Sequence, residues 1–329
     1  MRTTPILLAV CLISSFAVQA AEPLPEAARG IPIPKDKGYA LQSLGDGLYF
    51  VTDGFYNTMF MTTGKGVIVV DAPPSLTPRL LQAIKEKTKE PIKHVIYSHA
   101  HADHIGAAGL YPADAAYIAH VETKARLSGI GAADRAAPYG IFVGGKPVPQ
   151  PTVTFDRKHV LTVGDQVLEL IYQGDDHEPG NIYVYAPKQK VLLHIDVIFP
   201  GWTPFKGLAI SENVPEFVRA HDAVLAFGFE KMVAGHWGRV ATRQDVQTQR
   251  EYILDMQANA ARALQTVNFG AVAQKTGMEN IALLMETYLE EVSKTCSDLT
   301  QPRWKSRLGG VDIWTHSHCY QLAMSLRVN

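Results

Sequence analysis

The chain has 329 residues, of which 47% are hydrophobic and 19% are charged, a globular composition that excludes wholesale disorder. Its 31 basic and 32 acidic residues give a formal net charge of −1, which argues against a protein that binds the phosphate backbone of nucleic acids. No apolar run reaches the roughly 18 residues that a membrane-spanning helix needs.

The first twenty residues have the pattern of a secretory signal. A short positive start is followed by an apolar run, Pro5–Val18, and by small residues up to Ala20. We expect cleavage after Ala20 and an exported chain, periplasmic or secreted, with no membrane contact thereafter. Two cysteines remain, Cys296 and Cys319. An even pair in an exported protein predicts one disulfide, and two unrelated buried thiols are the alternative.

The next part of the sequence predicts a layered α/β unit. Residues 21–45 are predicted to be an extended N-terminal arm. Beyond it, short apolar runs predict strands, and apolar residues at helical spacing predict one helix. In chain order these are the strands Gly47–Thr52, Met59–Thr62 and Val67–Asp71, the helix Leu76–Lys89 and the strand His94–Tyr97. Strand, helix and strand in succession are typical of a layered α/β domain.

The second half repeats this pattern and then becomes helical. The segment Gly129–Pro151 is rich in glycine, proline and alanine and predicts a long loop, a feature that is often functional. The predicted elements after it are the strands Thr152–Phe155, Val160–Leu161, Val167–Tyr172, Ile182–Tyr185 and Val191–Ile195, the helix Val214–Phe227, the strand Lys231–Ala234 and the helices Thr242–Val267 and Met278–Lys294. We expect an α/β domain at residues 46–241 and, packed on it, a mostly helical C-terminal extension at 242–329.

The most informative segment is the run from His99 to His104, which reads His-Ala-His-Ala-Asp-His. Neutral imidazoles and carboxylates are preferred ligands of zinc and similar divalent ions. His99 and His101 are alternate residues of an extended chain, so both can point at one ion. Asp103 and His104 then turn with the chain and can reach a second ion. One loop can thus serve two metals about 3.5–4 Å apart.

This His-x-His-x-Asp-His motif after a strand resembles the signature of the metallo-β-lactamase fold superfamily. The resemblance covers roughly residues 45–240 and implies an αββα sandwich. It also implies three ligands further along the chain, at or near strand ends. These are His177 in the segment Gly-Asp-Asp-His-Glu-Pro-Gly-Asn, Asp196 after an apolar strand, and His236 in Ala-Gly-His-Trp-Gly.

The resemblance assigns these ligands to two ions. His177 would join His99 and His101 at one ion, and His236 would join Asp103 and His104 at the other. Asp196 would bridge both ions. Asp71, at the end of an earlier strand, is expected to orient a histidine rather than to bind metal. We expect two divalent ions, zinc first, with iron or manganese as alternatives.

The implied activity is hydrolysis by a metal-bound hydroxide, with Asp103 orienting the hydroxide or carrying its proton. The β-lactamase members lack a carboxylate that bridges in the way expected of Asp196. The pattern with this carboxylate resembles the lactonases and the glyoxalase II-like thioesterases. We therefore expect a lactone or another carboxylic ester as substrate. The alternatives are a metallo-β-lactamase, a thioesterase of the glyoxalase II type, and a metal-binding accessory protein with low turnover.

Aromatic residues near the motifs indicate the substrate class. They are Phe199, Trp202, Phe205 and Trp237, which predict a pocket for the apolar part of a small-molecule substrate, or else cap the core. No nucleic acid partner is expected. The helices at 242–294 are expected either to cover the sandwich or to form the face of a homodimer. His316 and His318 form a second His-x-His pair without an acidic neighbour, and no metal site is predicted there.

Overall fold

The computed structural model describes residues 23–128 and 147–328. The predicted signal at residues 1–20 and most of the predicted loop at 129–151 lie outside the described residues. The described part contains two β-sheets, nine helices named α1 to α9 below, and two short 3-10 helices. Among these residues, no helix is both long enough and apolar enough to cross a membrane.

The first sheet has seven strands, which follow one another in chain order across the sheet. They are β1 (Ala40–Gly45), β2 (Leu48–Thr52), β3 (Asn57–Met61), β4 (Val67–Val70), β5 (Ile92–Ile96), β6 (Ala116–His120) and β7 (Val153–Phe155). Strands β1 to β4 pair antiparallel and β4 to β7 pair parallel. The central strand β4 is buried along its whole length, as expected for a strand covered on both faces.

The second sheet has five strands in the order β12-β11-β10-β9-β8. They are β8 (Lys158–Val163), β9 (Gln166–Ile171), β10 (Tyr183–Ala186), β11 (Val191–Leu193) and β12 (Lys231–Val233). Only β11 and β12 pair parallel. Side chains of the two sheets form one shared core, to which Phe50 and Met59 contribute from the first sheet and Leu168 and Val184 from the second.

Helices cover the outer face of each sheet. The short or outer helices are α1 (Thr77–Lys87), α2 (Ala102–Ile105), α3 (Val121–Ser128), α4 (Lys206–Ile210) and α5 (Val214–Ala226). Helix α1 has Pro78 in its first turn, where proline is favourable. Its last turn contains Lys85 and Lys87, whose positive charges are favourable at the C-terminal end of a helix. Its Leu80 and Ile84 pack on the first sheet. The layers are therefore helix, sheet, sheet and helix, and the predicted αββα sandwich is confirmed.

Four helices form the C-terminal region: α6 (Arg243–Thr266), α7 (Phe269–Thr276), α8 (Ile281–Trp304) and α9 (Val311–Val328). Thr242 and Asp245 form a reciprocal capping box at the start of α6. The predicted disulfide is present and joins Cys296 of α8 to Cys319 of α9, 23 residues apart. A loop of that length stabilises a fold by about 3 kcal/mol in the chain-entropy model.

Several elements differ from the sequence prediction. Residues 40–45, predicted as part of an extended arm, form β1 and pair with β2 at the edge of the sheet. Strand β6 and the helices α2, α3 and α4 were not predicted, and α7 and α9 lie in the extension expected to be mostly helical but had no predicted bounds. Helix α8 continues to Trp304, ten residues past its predicted end at Lys294. Packing within the tertiary structure decides these elements, because their local sequence patterns are short or not amphipathic.

Candidate metal centre

The predicted ligands lie at one edge of the sandwich, where strands of both sheets end. His99 and His101 follow β5, and Asp103 and His104 lie on the short helix α2. His177 lies between β9 and β10, whereas Asp196 follows β11 and His236 follows β12. Seven side chains that span more than 130 residues of sequence thus converge because of the sheet topology.

These seven side chains form two groups that share Asp196. His99, His101, His177 and Asp196 make up one group, and Asp103, His104, Asp196 and His236 make up the other. Within each group all candidate ligand atoms lie within 4.8 Å of one another. The structure therefore brings together each predicted ligand in the predicted grouping, and the two groups could hold two ions.

The carboxylate of Asp196 is at the centre of the histidine rings. Its Oδ2 lies 3.1 Å from Nε2 of His104, 3.6 Å from Nε2 of His177 and 3.7 Å from Nε2 of His99. Its Oδ1 lies 3.1 Å from Nε2 of His236. Oδ2 thus lies near ring nitrogens of both groups, so this carboxylate could contact two ions.

Ring nitrogens also face one another without a polar group between them. Nδ1 of His101 is 3.0 Å from Nε2 of His177, and Nε2 of His104 is 3.2 Å from Nε2 of His236. Nε2 of His99 is buried and makes no hydrogen bond within the described residues. A buried polar atom without a partner is rare and calls for a missing ligand. Converging nitrogen lone pairs of this kind fit divalent cations.

Burial favours the neutral imidazole at two ligands of the first group, His99 and His177. Burial lowers the pKa of His177 to about 4. Burial, together with the neighbouring His101 and His104, holds the pKa of His99 well below its usual value. Neutral imidazole is the form that binds a metal.

The second group has the opposite character. Burial raises the pKa of Asp196, but His104 and His236 outweigh that effect and hold it well below the usual range. Burial lowers the pKa of His104, yet the carboxylates of Asp196 and Asp103 raise it to about 10. A cation bound there would have to displace the proton of His104, so binding should release protons.

The backbone after β12 approaches the ligands closely. A Cβ atom at Gly235 would lie 2.8 Å from Oδ1 of Asp196 and 2.9 Å from Cε1 of His104. Only glycine therefore fits immediately before His236. Asp196 and Trp237 also adopt left-handed backbone angles, with φ of 61° and 69°. Such strain is common at functional sites.

Asp71 acts on the site through Ser98. The backbone N–H of Ser98 donates to Oδ1 of Asp71 at 2.7 Å, and the Ser98 hydroxyl donates to Oδ2 at 2.6 Å. The same hydroxyl lies 2.9 Å from Nδ1 of His99 and can accept its proton. This arrangement leaves Nε2 of His99 free for a metal ion. Asp71 is fully buried, and burial raises its pKa to about 6.

Two polar residues at the site escaped the sequence analysis. The Tyr56 hydroxyl donates to Oδ2 of Asp103 at 3.4 Å. Glu178, which directly follows His177, lies with its Oε2 3.3 Å from Nε2 of His101. A carboxylate next to a candidate ligand is the one sequence signal that could have indicated Glu178, whereas nothing near Tyr56 in the sequence indicated its role.

A cavity of about 490 Å³ opens over the candidate ligands. His101, Asp103, Asp196 and His236 lie on its polar side. The remaining lining is Phe55, Tyr56, Ala102, Phe199, Phe205, Ala209, Ile210 and Trp237. Three of the four predicted pocket residues therefore line the cavity. Trp202 does not: its ring stacks on Trp237 at 5.0 Å, and its Nε1 donates to the carbonyl of Ala28.

The comparisons with known proteins give relatives of several activities. The chain is 26% identical over 205 residues to the 2,4-dinitroanisole O-demethylase subunit alpha of Nocardioides sp., covering 60% of this chain and 57% of that subunit. It is 25% identical over 248 residues to the human acyl-coenzyme A thioesterase MBLAC2, covering 65% of this chain and 87% of the relative. The chain thus spans little more than half of the demethylase subunit.

A solved structure resembles more of the chain. The stereoselective inverting sec-alkylsulfatase Pisa1 from Pseudomonas sp. matches with a TM-score of 0.59 and 18% identity, over 88% of this chain and 50% of that one. This likeness concerns the fold. A sequence model of the family described as the metallo-beta-lactamase superfamily matches residues 51–257, more than half of the chain. With the fold, the ligand groups and this match together, the chain belongs to the metallo-beta-lactamase superfamily.

Proposed function

We propose that this protein is a dinuclear metal-dependent hydrolase of carboxylic esters, lactones above all, whose substrates carry an apolar part. One observation carries the proposal: Asp196 is shared by two histidine groups on the polar side of a cavity whose other walls are apolar. A bridging carboxylate favours two ions acting together on one bond, and the walls favour an uncharged substrate.

The two groups of side chains support a proposed position for each of two ions. His99, His101 and His177 would hold one ion, and Asp103, His104 and His236 the other, with Asp196 between them. We propose zinc, because imidazole nitrogen with few carboxylates suits this ion. When bound, such ions polarise a substrate carbonyl and lower the pKa of a water molecule.

We propose that Asp103 handles the proton of the attacking water. Its side chain is 32% exposed and lines the cavity, whereas that of Asp196 is only 8% exposed. The Tyr56 hydroxyl donates to Oδ2 of Asp103. This hydrogen bond orients the carboxylate, so the remaining lone pairs of its oxygens point in fixed directions. Burial, followed by the charge of Asp103, raises the pKa of Tyr56 far above neutrality. The phenol therefore remains a hydrogen-bond donor during turnover.

The apolar walls select the rest of the substrate. Phe55, Phe205 and Ile210 line the cavity, and 47%, 48% and 61% of their surfaces are exposed. These side chains therefore offer apolar surface that a substrate can contact. No lysine or arginine is among the described lining residues. A phosphate or sulfate group inside the cavity would lack a counter-charge from the protein side chains. The name of the thioesterase relative supports an acyl substrate class.

We also propose that the protein is exported. The predicted signal at residues 1–20 supports this, and the disulfide between Cys296 and Cys319 is compatible with an oxidising compartment.

The experiment tests a panel of substrates with zinc-loaded, chelated and reloaded protein. Hydrolysis is measured as proton release at constant pH. The panel contains alkyl-substituted lactones, aryl esters, an acyl-coenzyme A, a cephalosporin and 2,4-dinitroanisole. We expect hydrolysis of the lactones and aryl esters that is lost on chelation and returns with two equivalents of zinc. Hydrolysis of the cephalosporin or the acyl-coenzyme A alone, or ester hydrolysis that survives chelation, would overturn the proposal.

A further inference from the structure

A buried carboxylate lies behind one of the candidate ligands. We propose that Glu178 is a positioning residue that sets the tautomer and orientation of His101 for metal binding. The inference rests on the metal binding of the proposed function, and it assigns to this chain a carboxylate that no motif indicated.

Three donors converge on the Glu178 carboxylate, which is only 1% exposed. Nε2 of His101 lies 3.3 Å from Oε2, and Nη1 of Arg126 donates to the same oxygen at 3.1 Å. The backbone N–H of Ala100 donates to Oε1 at 2.5 Å. Both oxygens therefore accept, and charge-assisted bonds of this kind are the stronger ones.

The two neighbouring ligands need opposite ring nitrogens. Nδ1 of His101 faces Nε2 of His177 at 3.0 Å and is the atom that an ion would meet. That nitrogen must be unprotonated to bind, so Nε2 carries the proton and needs an acceptor. Glu178 supplies this acceptor. His99 is held the other way, because Ser98 lies 2.9 Å from its Nδ1 and leaves its Nε2 towards the site.

His99 and His101 are thus each fixed by a different carboxylate. Asp71 fixes His99 through the Ser98 hydroxyl, and Glu178 fixes His101 directly. Carboxylates behind metal-binding histidines orient the ring and raise its basicity, and their loss costs about 10–100-fold in metal affinity. Without Glu178, His101 could place its proton on Nδ1, facing the ion.

Glu178 pairs with Arg126, and Arg126 forms a second ion pair with Glu212. Arg126 makes two further bonds to Glu212, at 2.8 and 2.7 Å. The backbone N–H of Glu212 donates to the carbonyl of His177 at 2.8 Å. The Glu178–Arg126–Glu212 chain therefore links the orientation of His101 to the loop that carries His177.

The variant Glu178→Gln isolates this role. The amide has the same shape, but one of its two sides must present an N–H group to a donor, Ala100 on one side or His101 and Arg126 on the other. Zinc affinity of the metal-free protein is measured by competition with a chromophoric chelator, and ring tautomers are measured by ¹⁵N NMR of the histidines. We expect one of the two zinc ions to bind about 10–100-fold more weakly, because the neutral amide offers His101 at most a weaker acceptor, and we expect the Nε2–H tautomer of His101 to lose population while His99 keeps its own tautomer.

The control is Glu169→Gln. The Glu169 carboxylate accepts a hydrogen bond of 2.9 Å from Lys158 and lies away from the site. This control variant should leave both zinc affinities and both tautomers unchanged. Unchanged zinc affinity in Glu178→Gln would overturn the inference and leave the proposed function standing. Wild-type protein that binds no zinc would overturn the proposed function itself. The tautomer of His101 in the wild-type protein is a test that needs no variant, because an Nδ1–H ring there contradicts the inference.

Discussion

At the scale of single residues, Asp103 and Asp196 belong to the same metal group but have different surroundings. The Asp196 carboxylate is nearly buried between four histidines, whereas the Asp103 carboxylate faces the cavity beside Tyr56. A buried carboxylate without freedom to move suits a bridge between ions. A carboxylate that borders the substrate space suits proton transfer.

We expect Asp103→Asn to reduce kcat by at least about 100-fold, the usual lower limit for loss of a general acid–base group. Fold and bound metal should largely persist, because six other candidate ligands remain and the amide has nearly the same shape. The measurements are kcat on the best substrate of the panel, zinc content and the urea midpoint. Tyr56→Phe removes only one hydrogen bond to Asp103 and should reduce kcat by less than about tenfold. Full activity of Asp103→Asn would contradict the assigned role.

Four candidate ligands could be predicted because their signal is local: they lie in one motif of six residues. The other three were implied by the family resemblance that this motif carries, and each comes after a strand. The partners of these ligands could not be predicted, since their role comes from distant contacts. Glu178 meets Ala100 from 78 residues away, and Tyr56 meets Asp103 from 47 residues away.

At the scale of elements, the C-terminal helices hold the loop that forms one wall of the cavity. Gln249 of α6 donates to the carbonyl of Val197 and accepts from the N–H of Phe199. His318 of α9 lies 3.0 Å from the carbonyl of Phe205, and Ser317 accepts from the N–H of Gly207. This wall of the cavity therefore depends on side chains from the C-terminal region.

These bonds support an unusual backbone. Gly207, Leu208, Ala209 and Ile210 all have φ between 53° and 65°, so α4 is a left-handed turn. Left-handed turns of L-residues cost roughly 1–2 kcal/mol per residue. Ala209 and Ile210 line the cavity from this turn. The surrounding helices must offset the strain for the wall to keep its shape.

We expect His318 to make the protein acid-labile. Burial lowers its pKa to about 4, whereas the unfolded value is about 6.5. The unfolded chain takes up this proton below pH 6.5 and the folded chain does not, so stability is present above pH 6.5 and falls towards pH 4. The loss amounts to up to about 3 kcal/mol for this residue. Free energies of unfolding in urea at pH 4.5, 5.5, 6.5 and 7.5, all in chelator, measure it.

His318→Gln should make this pH dependence less steep by the share of His318, because glutamine takes up no proton in either state. His221, whose pKa burial also lowers to about 4, keeps its own share. His316→Gln is the matched control: it lies two residues earlier, its side chain is 40% exposed, and its substitution should leave the slope unchanged. Parallel pH profiles for the wild-type protein and His318→Gln would show that His318 is not the group responsible.

The elements that could be predicted are those with a clear pattern. Strand β4 is a continuous apolar run, and α5 has apolar residues at helical spacing. Helix α9 could not be predicted, because its buried residues include Thr315, His318 and Cys319 along with leucine and valine. It is covered on several sides by α8, α6 and α4. A helix buried in this way has no simple apolar stripe.

At the scale of the whole molecule, one hydrophobic core extends from the second sheet into the C-terminal helices. Leu192 and Met232 of the sheet belong to the same cluster as Phe217 of α5, Tyr252 of α6 and Leu322 of α9. The boundary predicted between residues 241 and 242 remains a prediction, and this cluster crosses it. The likeness to the alkylsulfatase structure over 88% of the chain also includes part of the C-terminal helices.

A chain that ends at Ala241 is therefore expected not to fold into a soluble, cooperative unit. It would expose the outer face of the second sheet and of α5, a contiguous apolar surface far larger than single exposed residues, and it would free the left-handed turn from Ser317 and His318. Soluble yield, near-ultraviolet circular dichroism and urea unfolding compare it with the full chain. A chain that ends at Leu326 is the control, because it removes Val328, which is 72% exposed, and keeps the core. If the chain ending at Ala241 instead unfolds cooperatively and still binds two zinc ions, the C-terminal helices are a separate domain and the wall of the cavity does not need them.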